Sequence, residues 1–270
     1  MSPSTPPLPS LRSALFDTFC LGKKFLVFNL VGKNLKRKYR RSYFGFLWTL
    51  MAPTAMAVVY YFVFKMVLKV HIPHYVAFVL SGVLPWAFFA QSLSEGMESI
   101  VGNWGLASKV PIPVQVFPFS VTATNIINFA VSIPVIIGAS FVSHVELSAS
   151  VLLLPLIFFF LFLTTYGMAL ILSLVFVYLR DLRHILSILL QIWFYGTPVV
   201  YSESMVPPQF HWVLYANPVG TSFVALHQIL AEGIWPDRTT LLCECGWSLG
   251  LMSLGILALE LLGAEVVEIA

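Results

Sequence analysis

The sequence runs to 270 residues, of which 59% are hydrophobic and 10% charged, whereas ordinary soluble domains carry about 25% charged residues; its mean hydropathy is +0.88. That balance excludes a soluble globular domain and places the chain in a lipid bilayer. The net charge is only +3, so the information lies in where the charges stand.

Residues 1–22, read as an N-terminal cytoplasmic tail, begin with the Pro-rich "MSPSTPPLPS" and lack a compact apolar core ending in a small-residue cleavage site. No removable signal peptide is read there. Residues 23–43 read as an amphipathic interface helix. Its "KNLKRKYRR" packs six basic side chains into nine positions and turns without a linker into the apolar "SYFGFLWTL". Phe28, Val31, Leu35 and Tyr39 recur at three- and four-residue intervals with Lys33, Lys36, Arg37 and Arg40 between them. This is the pattern of a helix lying in the interface with its cations on anionic lipid headgroups. Nucleic acid is the competing reading of a basic run, but membrane lipids account for the block, and no nucleic-acid partner is expected.

Spans are expected at 44–68, 75–94, 114–142, 150–179, 185–202 and 241–262, each near the roughly 20 residues that cross about 30 Å of hydrocarbon. Nine of the 15 Lys and Arg precede the first span. If that end is cytoplasmic and the spans alternate, Lys109, Arg180 and Arg183 also fall inside, leaving Lys65, Lys69 and Arg238 outside. Such a split follows the positive-inside rule and requires an even number of crossings with both termini in the cytoplasm. The hydrophilic stretches are short, so 44–262 reads as one transmembrane domain with 263–270 as a cytoplasmic tail.

Three connections stand out. The segment 95–113, "EGMESIVGNWGLASKVPIP", is polar and long enough for short helices. "LRDLRH", 179–184, is a tight turn on the same side. Residues 203–240 are too apolar for a simple loop and too interrupted by Pro207, Pro208, Pro218 and Pro236 for a clean span. A re-entrant pair of short helices, with Asn217-Pro218 as the turn or a helix start, fits both facts.

Enzyme signatures are missing: the sequence has no G-x-x-x-x-G-K-[ST] phosphate loop, no H-E-x-x-H and no G-x-S-x-G. His71 and His74 read as interfacial histidines, and Cys20, Cys243 and Cys245 are too few for a disulfide framework or a zinc site. Charges inside the spans are scarce, which argues against ion pumping; Glu260 in the last span lies near its cytoplasmic end. Most of the 23 Phe, 10 Tyr and 7 Trp are expected to face lipid or form interfacial belts. Trp86, Phe88, Phe89, Trp193, Phe194 and Tyr195 cluster in spans two and five and are candidates for a channel wall that stacks on sugar rings.

The stretches "NLKRKYRRSYFGFLWTLMAP", "LSGVLPWAFF", "NWGLASKVPIPVQVFP" and "YLRDLRHILSILLQIWFYGTPVVYSESMVP", followed by "LYANPV", together carry a resemblance. Over about residues 25–262 the chain resembles the permease subunit of type-2 ABC exporters, and within them the Wzm-like exporters of O-antigen, capsule and teichoic acid. The resemblance implies an all-α polytopic protein of the inner membrane, with an N-terminal amphipathic helix, six transmembrane helices and re-entrant outer helices before the last. It also implies a homodimer around a channel for a lipid-linked polysaccharide. Each copy would dock a separate nucleotide-binding subunit that holds ATP and Mg, so this chain needs no cofactor and is not itself an enzyme. By position, Lys36, Arg37, Arg40 and Arg41 on the basic helix and Glu95, Glu98 and Lys109 before span three would couple to that ATPase. A type-2 permease for a small drug or lipid, a non-transporting membrane scaffold and a lipid-sugar transferase are the rival readings.

Overall fold

The computed structural model of the protein describes residues 24–40, 47–107 and 112–269; the expected tail 1–22, Cys20, Arg41 and Lys109 lie outside them. Hydrocarbon offers the backbone no hydrogen-bond partner, so a chain this apolar must satisfy its peptide groups within each segment. The described residues accordingly form helices, with no strand among them.

Helix α1 (Lys24–Tyr39) is followed by α2 (Trp48–Tyr60), which continues as a π-helix through Tyr61–Val67. Next come α3 (Tyr75–Met97) and two single-turn helices, α4 (Ser99–Gly102) and α5 (Trp104–Ala107), inside the polar segment 95–113. The third apolar stretch forms as two pieces, α6 (Val116–Ala130) and α7 (Ile133–Val142). Pro134 has no N–H for the carbonyl of Ala130, so the ladder breaks ahead of it. There the Ser132 N–H turns to the Phe129 carbonyl at 2.8 Å, and the Ser132 hydroxyl donates to the same oxygen at 2.6 Å. A 3-10 turn, Ala149–Leu153, leads into α8 (Leu154–Tyr178); then follow α9 (Leu182–Gly196), α10 (His211–Ala216), α11 (Gly220–Leu230) and α12 (Arg238–Ile269).

Among the described residues, five stretches, 50–67, 75–97, 116–142, 149–178 and 238–263, are helical, long and apolar enough to cross a membrane. They coincide with five of the six expected spans. The other, 185–202, is not one helix. Helix α9 has 15 residues, about 22 Å at 1.5 Å per residue, against about 30 Å of hydrocarbon. It ends where Pro198 keeps Thr197 extended, at φ −111° and ψ 140°. At the other end of the chain the helix does not stop near 262: α12 runs on to Ile269.

Helix α3 is the centre of the bundle, packed on α2, α6, α7, α8, α9 and α11. In its apolar stretch 78% of residues are buried, against 6% in the stretch that contains α2, so α2 turns most of its surface away from this chain. Helices α8 and α12 approach most closely at Gly167, where a Cβ would stand 2.7 Å from the Leu251 carbonyl oxygen. Close backbone approach of this kind holds helices together in lipid, where apolar contact alone gives no net driving force.

Helix α1 lies against α6 through Leu26, Leu30 and Asn34, with Leu30 and Asn34 buried. Phe28, on the apolar stripe expected of this helix, is 77% exposed. An interface helix turns its apolar stripe toward lipid, so the face it docks on the bundle can be the more polar one.

Gly167→Ala should destabilise the α8–α12 contact by about 1–3 kcal/mol, the usual cost of overpacking. Gly246→Ala, with nothing within 4 Å of the added carbon, should not. Thermal unfolding of the two variants in detergent checks the difference.

Candidate functional site

At the end of the bundle that carries α1, three separate segments are tied together by polar side chains. Glu95, in the last turns of α3, accepts hydrogen bonds from Gln91 Nε2 and Asn125 Nδ2, each at 2.9 Å, and lies 3.5 Å from the Lys38 ammonium. Lys38 Nζ also donates to Asn125 Oδ1 at 3.0 Å, and the Tyr39 hydroxyl donates to Asn128 Oδ1 at 2.9 Å. The C-terminal turn of α1 is thereby fixed to α3 and α6. One turn earlier, Lys33 Nζ donates to Asn103 Oδ1 at 3.2 Å, joining α1 to the α4–α5 segment. On the far side of that segment, Arg183 Nε meets Glu98 at 2.6 Å, and the Arg183 and Arg180 guanidinium groups lie over the Phe176 ring. Exposed pairs of this kind contribute only about 0–1 kcal/mol each; their importance is that they fix position.

These contacts sort the predicted coupling residues. Glu95 and Glu98 are engaged within this chain, one to α1 and α6 and the other to the 179–183 turn. Lys36, Arg37 and Arg40 are exposed. Sequence reasoning passed over Asn125 and Asn128, because an amide on an apolar helix carries no signal until its partner is known.

Beneath Lys38 lies a cavity of about 400 Å3 between α1, α2, α3 and α6, with Trp48, Pro53, Phe88 and Phe129 among its apolar walls. Of the predicted channel aromatics, only Phe88 borders it. Trp86 packs against Phe89, Phe194 and Phe223 with ring centroids 5.4–6.0 Å apart, and Phe89 meets Trp193 edge-on at 5.3 Å. Phe89 has no exposed surface and Trp86 and Phe194 are buried, so these rings pack in the core of the chain. Tyr195, 67% exposed, is the member that faces outward.

At the opposite end, Asn217 joins the two proline motifs. Its Oδ1 accepts from Trp193 Nε1 at 2.9 Å and from the Val219 N–H at 3.1 Å, and its Nδ2 donates to Thr197 Oγ1 at 2.8 Å and to the Gly196 carbonyl at 3.3 Å. The chain reverses here as a pair of short helices, α10 and α11, and every residue of α11 is buried. Val199 and Val200 are buried beside it, and the Tyr75 hydroxyl donates to the Val200 carbonyl at 3.2 Å. The close fit needs Gly82, where a Cβ would stand 2.0 Å from the Val199 oxygen. Among the described residues one carboxyl is buried, Glu244 at 1% exposure on α12, and it also escaped the sequence reading. Glu203, in the 3-10 turn Glu203–Met205, accepts from Gln228 Nε2 at 3.4 Å. Partial burial, and next the nearby Asp237 charge, push its carboxyl above the usual range, against the lowering effects of His211 and the Gln228 bond.

With this geometry in view, the family is plain. The family model described as ABC-2 type transporter matches residues 26–231, and the chain belongs to that family of transporter membrane subunits. Among curated proteins, it is similar to two from Klebsiella pneumoniae named O-antigen export system permease protein RfbA. One is 32% identical, covering 84% of this chain and 88% of the relative; the other is 33% identical, covering 76% and 79%. A protein of the same name from Myxococcus xanthus is 35% identical, covering 84% of this chain and 88% of the relative.

Asn217→Ala leaves the Trp193 and Val219 donors without their acceptor. It should lower stability by about 1–3 kcal/mol for each buried group orphaned, read as a drop in the unfolding midpoint in detergent. Glu203 gives a pH test. Its raised pKa means that the folded state favours the protonated form, so this contribution to stability is full below the unfolded pKa of about 4.3 and is lost as pH rises through the folded value. Glu203→Gln should therefore raise the midpoint at pH 7 and change nothing below about pH 4.

Proposed function

We propose that this chain is the membrane-spanning subunit of an ATP-driven exporter of a lipid-linked O-antigen polysaccharide. It works as a homodimer in the inner membrane with both termini cytoplasmic, and ATP and Mg bind a separate ATPase, one copy docked on each protomer. The names of the relatives support the substrate. For the mechanism, the observation that carries the reading is the tied platform at the α1 end. There an exposed basic face of Lys36, Arg37 and Arg40 stands beside two short helices whose connecting residue, Asn103, accepts a hydrogen bond from Lys33 of the same α1. Force applied by a partner at that face enters α3 and α6 directly, without a flexible linker to absorb it. Arg41 and Lys109 extend the docking surface in this reading, while Glu95 and Glu98 hold it in shape.

The dimer reading draws on α2 and α9. Met56, Val59, Phe62 and Met66 on the first span and Ile185, Ile188 and Ile192 on α9 are all exposed, and a second copy would cover part of this apolar surface. Helix α9 with residues 197–201 makes the sixth crossing that brings the C-terminus back to the cytoplasm.

Co-purification with the phosphate-loop ATPase, followed by hydrolysis assays in lipid nanodiscs, tests the proposal. Lipid-linked O-antigen should stimulate hydrolysis. Stimulation by small amphiphiles alone would favour the drug or lipid permease, and failure to recover any ATPase would favour a scaffold. Replacing Lys36, Arg37 and Arg40 together by Ala should reduce ATPase recovery at least tenfold, equivalent to about 1.4 kcal/mol, while leaving the permease folded.

A further inference from the structure

The cavity beneath Lys38 has an uneven hydrogen-bond account. Asn125 is fully committed, its oxygen to Lys38 and its nitrogen to Glu95. Asn128 accepts the Tyr39 hydroxyl at its oxygen, but its Nδ2 is buried with no partner. Leaving such a donor unmet is costly, and an acceptor entering the cavity would recover that cost. Gln91 gives its nitrogen to Glu95, which leaves its oxygen as an acceptor at the same cavity. The cavity therefore presents an unpartnered buried donor, Asn128 Nδ2, and an acceptor, the Gln91 oxygen, set against the rings of Trp48, Phe88 and Phe129.

We infer that this cavity holds a sugar residue, the one that adjoins the lipid carrier of the exported glycan; the inference rests on the function proposed above. A sugar hydroxyl both donates and accepts, so neighbouring hydroxyls answer Asn128 and Gln91 together, and the C–H face of the ring packs on aromatic walls. A phosphate offers acceptors only, so it answers Asn128 but makes no bond to the Gln91 oxygen. Charge points the same way. The Lys38 ammonium is already opposed by Glu95 at 3.5 Å, so the cavity offers little net positive charge to a diphosphate, which is left to the exposed cations of α1. The volume, about 400 Å3, falls within the usual range for small-molecule sites. Trp48 and Gln91, both exposed, stand at its mouth. Because α1 lies along the membrane surface in this reading, only the sugar nearest the anchoring lipid reaches the cavity at a constant depth.

The test uses the transporter with its ATPase in nanodiscs and three probes: a polyprenyl diphosphate bearing one hexose, the same carrier without sugar, and phosphatidylglycerol. Wild type should bind the sugar-bearing carrier at least tenfold more tightly than the bare carrier, and phosphatidylglycerol should not compete. Asn128→Leu should abolish the preference. Gln91→Met, at an exposed position where folding is not at risk, should reduce it severalfold. Equal binding of both carriers, or full competition by phosphatidylglycerol, would make the cavity a lipid headgroup site and overturn the inference. So would a sugar preference that survives both substitutions. If lipid-linked O-antigen fails to stimulate the wild-type complex at all, the function proposed above fails. Stimulation together with any of the overturning results would remove only the sugar site.

Discussion

One carboxylate organises the end of the molecule that carries α1. Glu95 gathers Gln91, Asn125 and Lys38 around itself, and through Lys38 it determines where the amphipathic helix ends. The ion pair is partly exposed, so its energy is modest. Its effect is geometric: three helices share one acceptor, and none of them can shift alone without breaking a bond to another. The cavity under Lys38, the placement of Lys33 on Asn103 and the exposure of the remaining cations all follow from that arrangement.

The other end answers a different constraint. A chain that reverses within an apolar bundle must supply its own partners for backbone groups that water would otherwise serve. Asn217 does this with all of its capacity, bonding a ring N–H, a backbone N–H, a hydroxyl and a carbonyl. The T-P-V-V-Y and N-P motifs, far apart in sequence, are two sides of one hydrogen-bonded junction. Gly82 lets Val199, within the first of them, lie directly on α3.

Much of this was legible in the sequence because hydropathy and proline are local signals. The helices at 75–97 and 149–178, the short helices after Glu95 and the paired helices around Asn217 all follow from runs of apolar residues and the prolines that interrupt them. What was not legible depends on which neighbour a side chain meets. Phe28 and Leu30 are equally apolar, yet one faces outward and the other docks on the bundle, because lipid and protein both accept apolar surface. Trp86 and Phe89 read as channel-wall candidates against a lipid-facing or interfacial background, and only packing shows that they meet Phe223 and Trp193. Asn128 and Asn125 read as unremarkable polar positions in an apolar helix until Tyr39 and Lys38 were placed opposite them. The short α9 reflects Pro198, whose restriction on Thr197 ends the helix before it reaches spanning length.

The account makes α1 a rigid part of the bundle, not a lever hinged upon it. If so, α1 and the α4–α5 segment move together throughout the transport cycle. The most direct measurement cross-links them. In a background without Cys20, Cys243 and Cys245, the Lys33→Cys, Asn103→Cys double variant is joined by a short bismaleimide, and ATP-dependent export of lipid-linked O-antigen into vesicles is followed. Export by the cross-linked protein at the rate of the unlinked double variant is the predicted result. Arrest on cross-linking, with normal export before it, would show that the two segments must separate and would contradict the account.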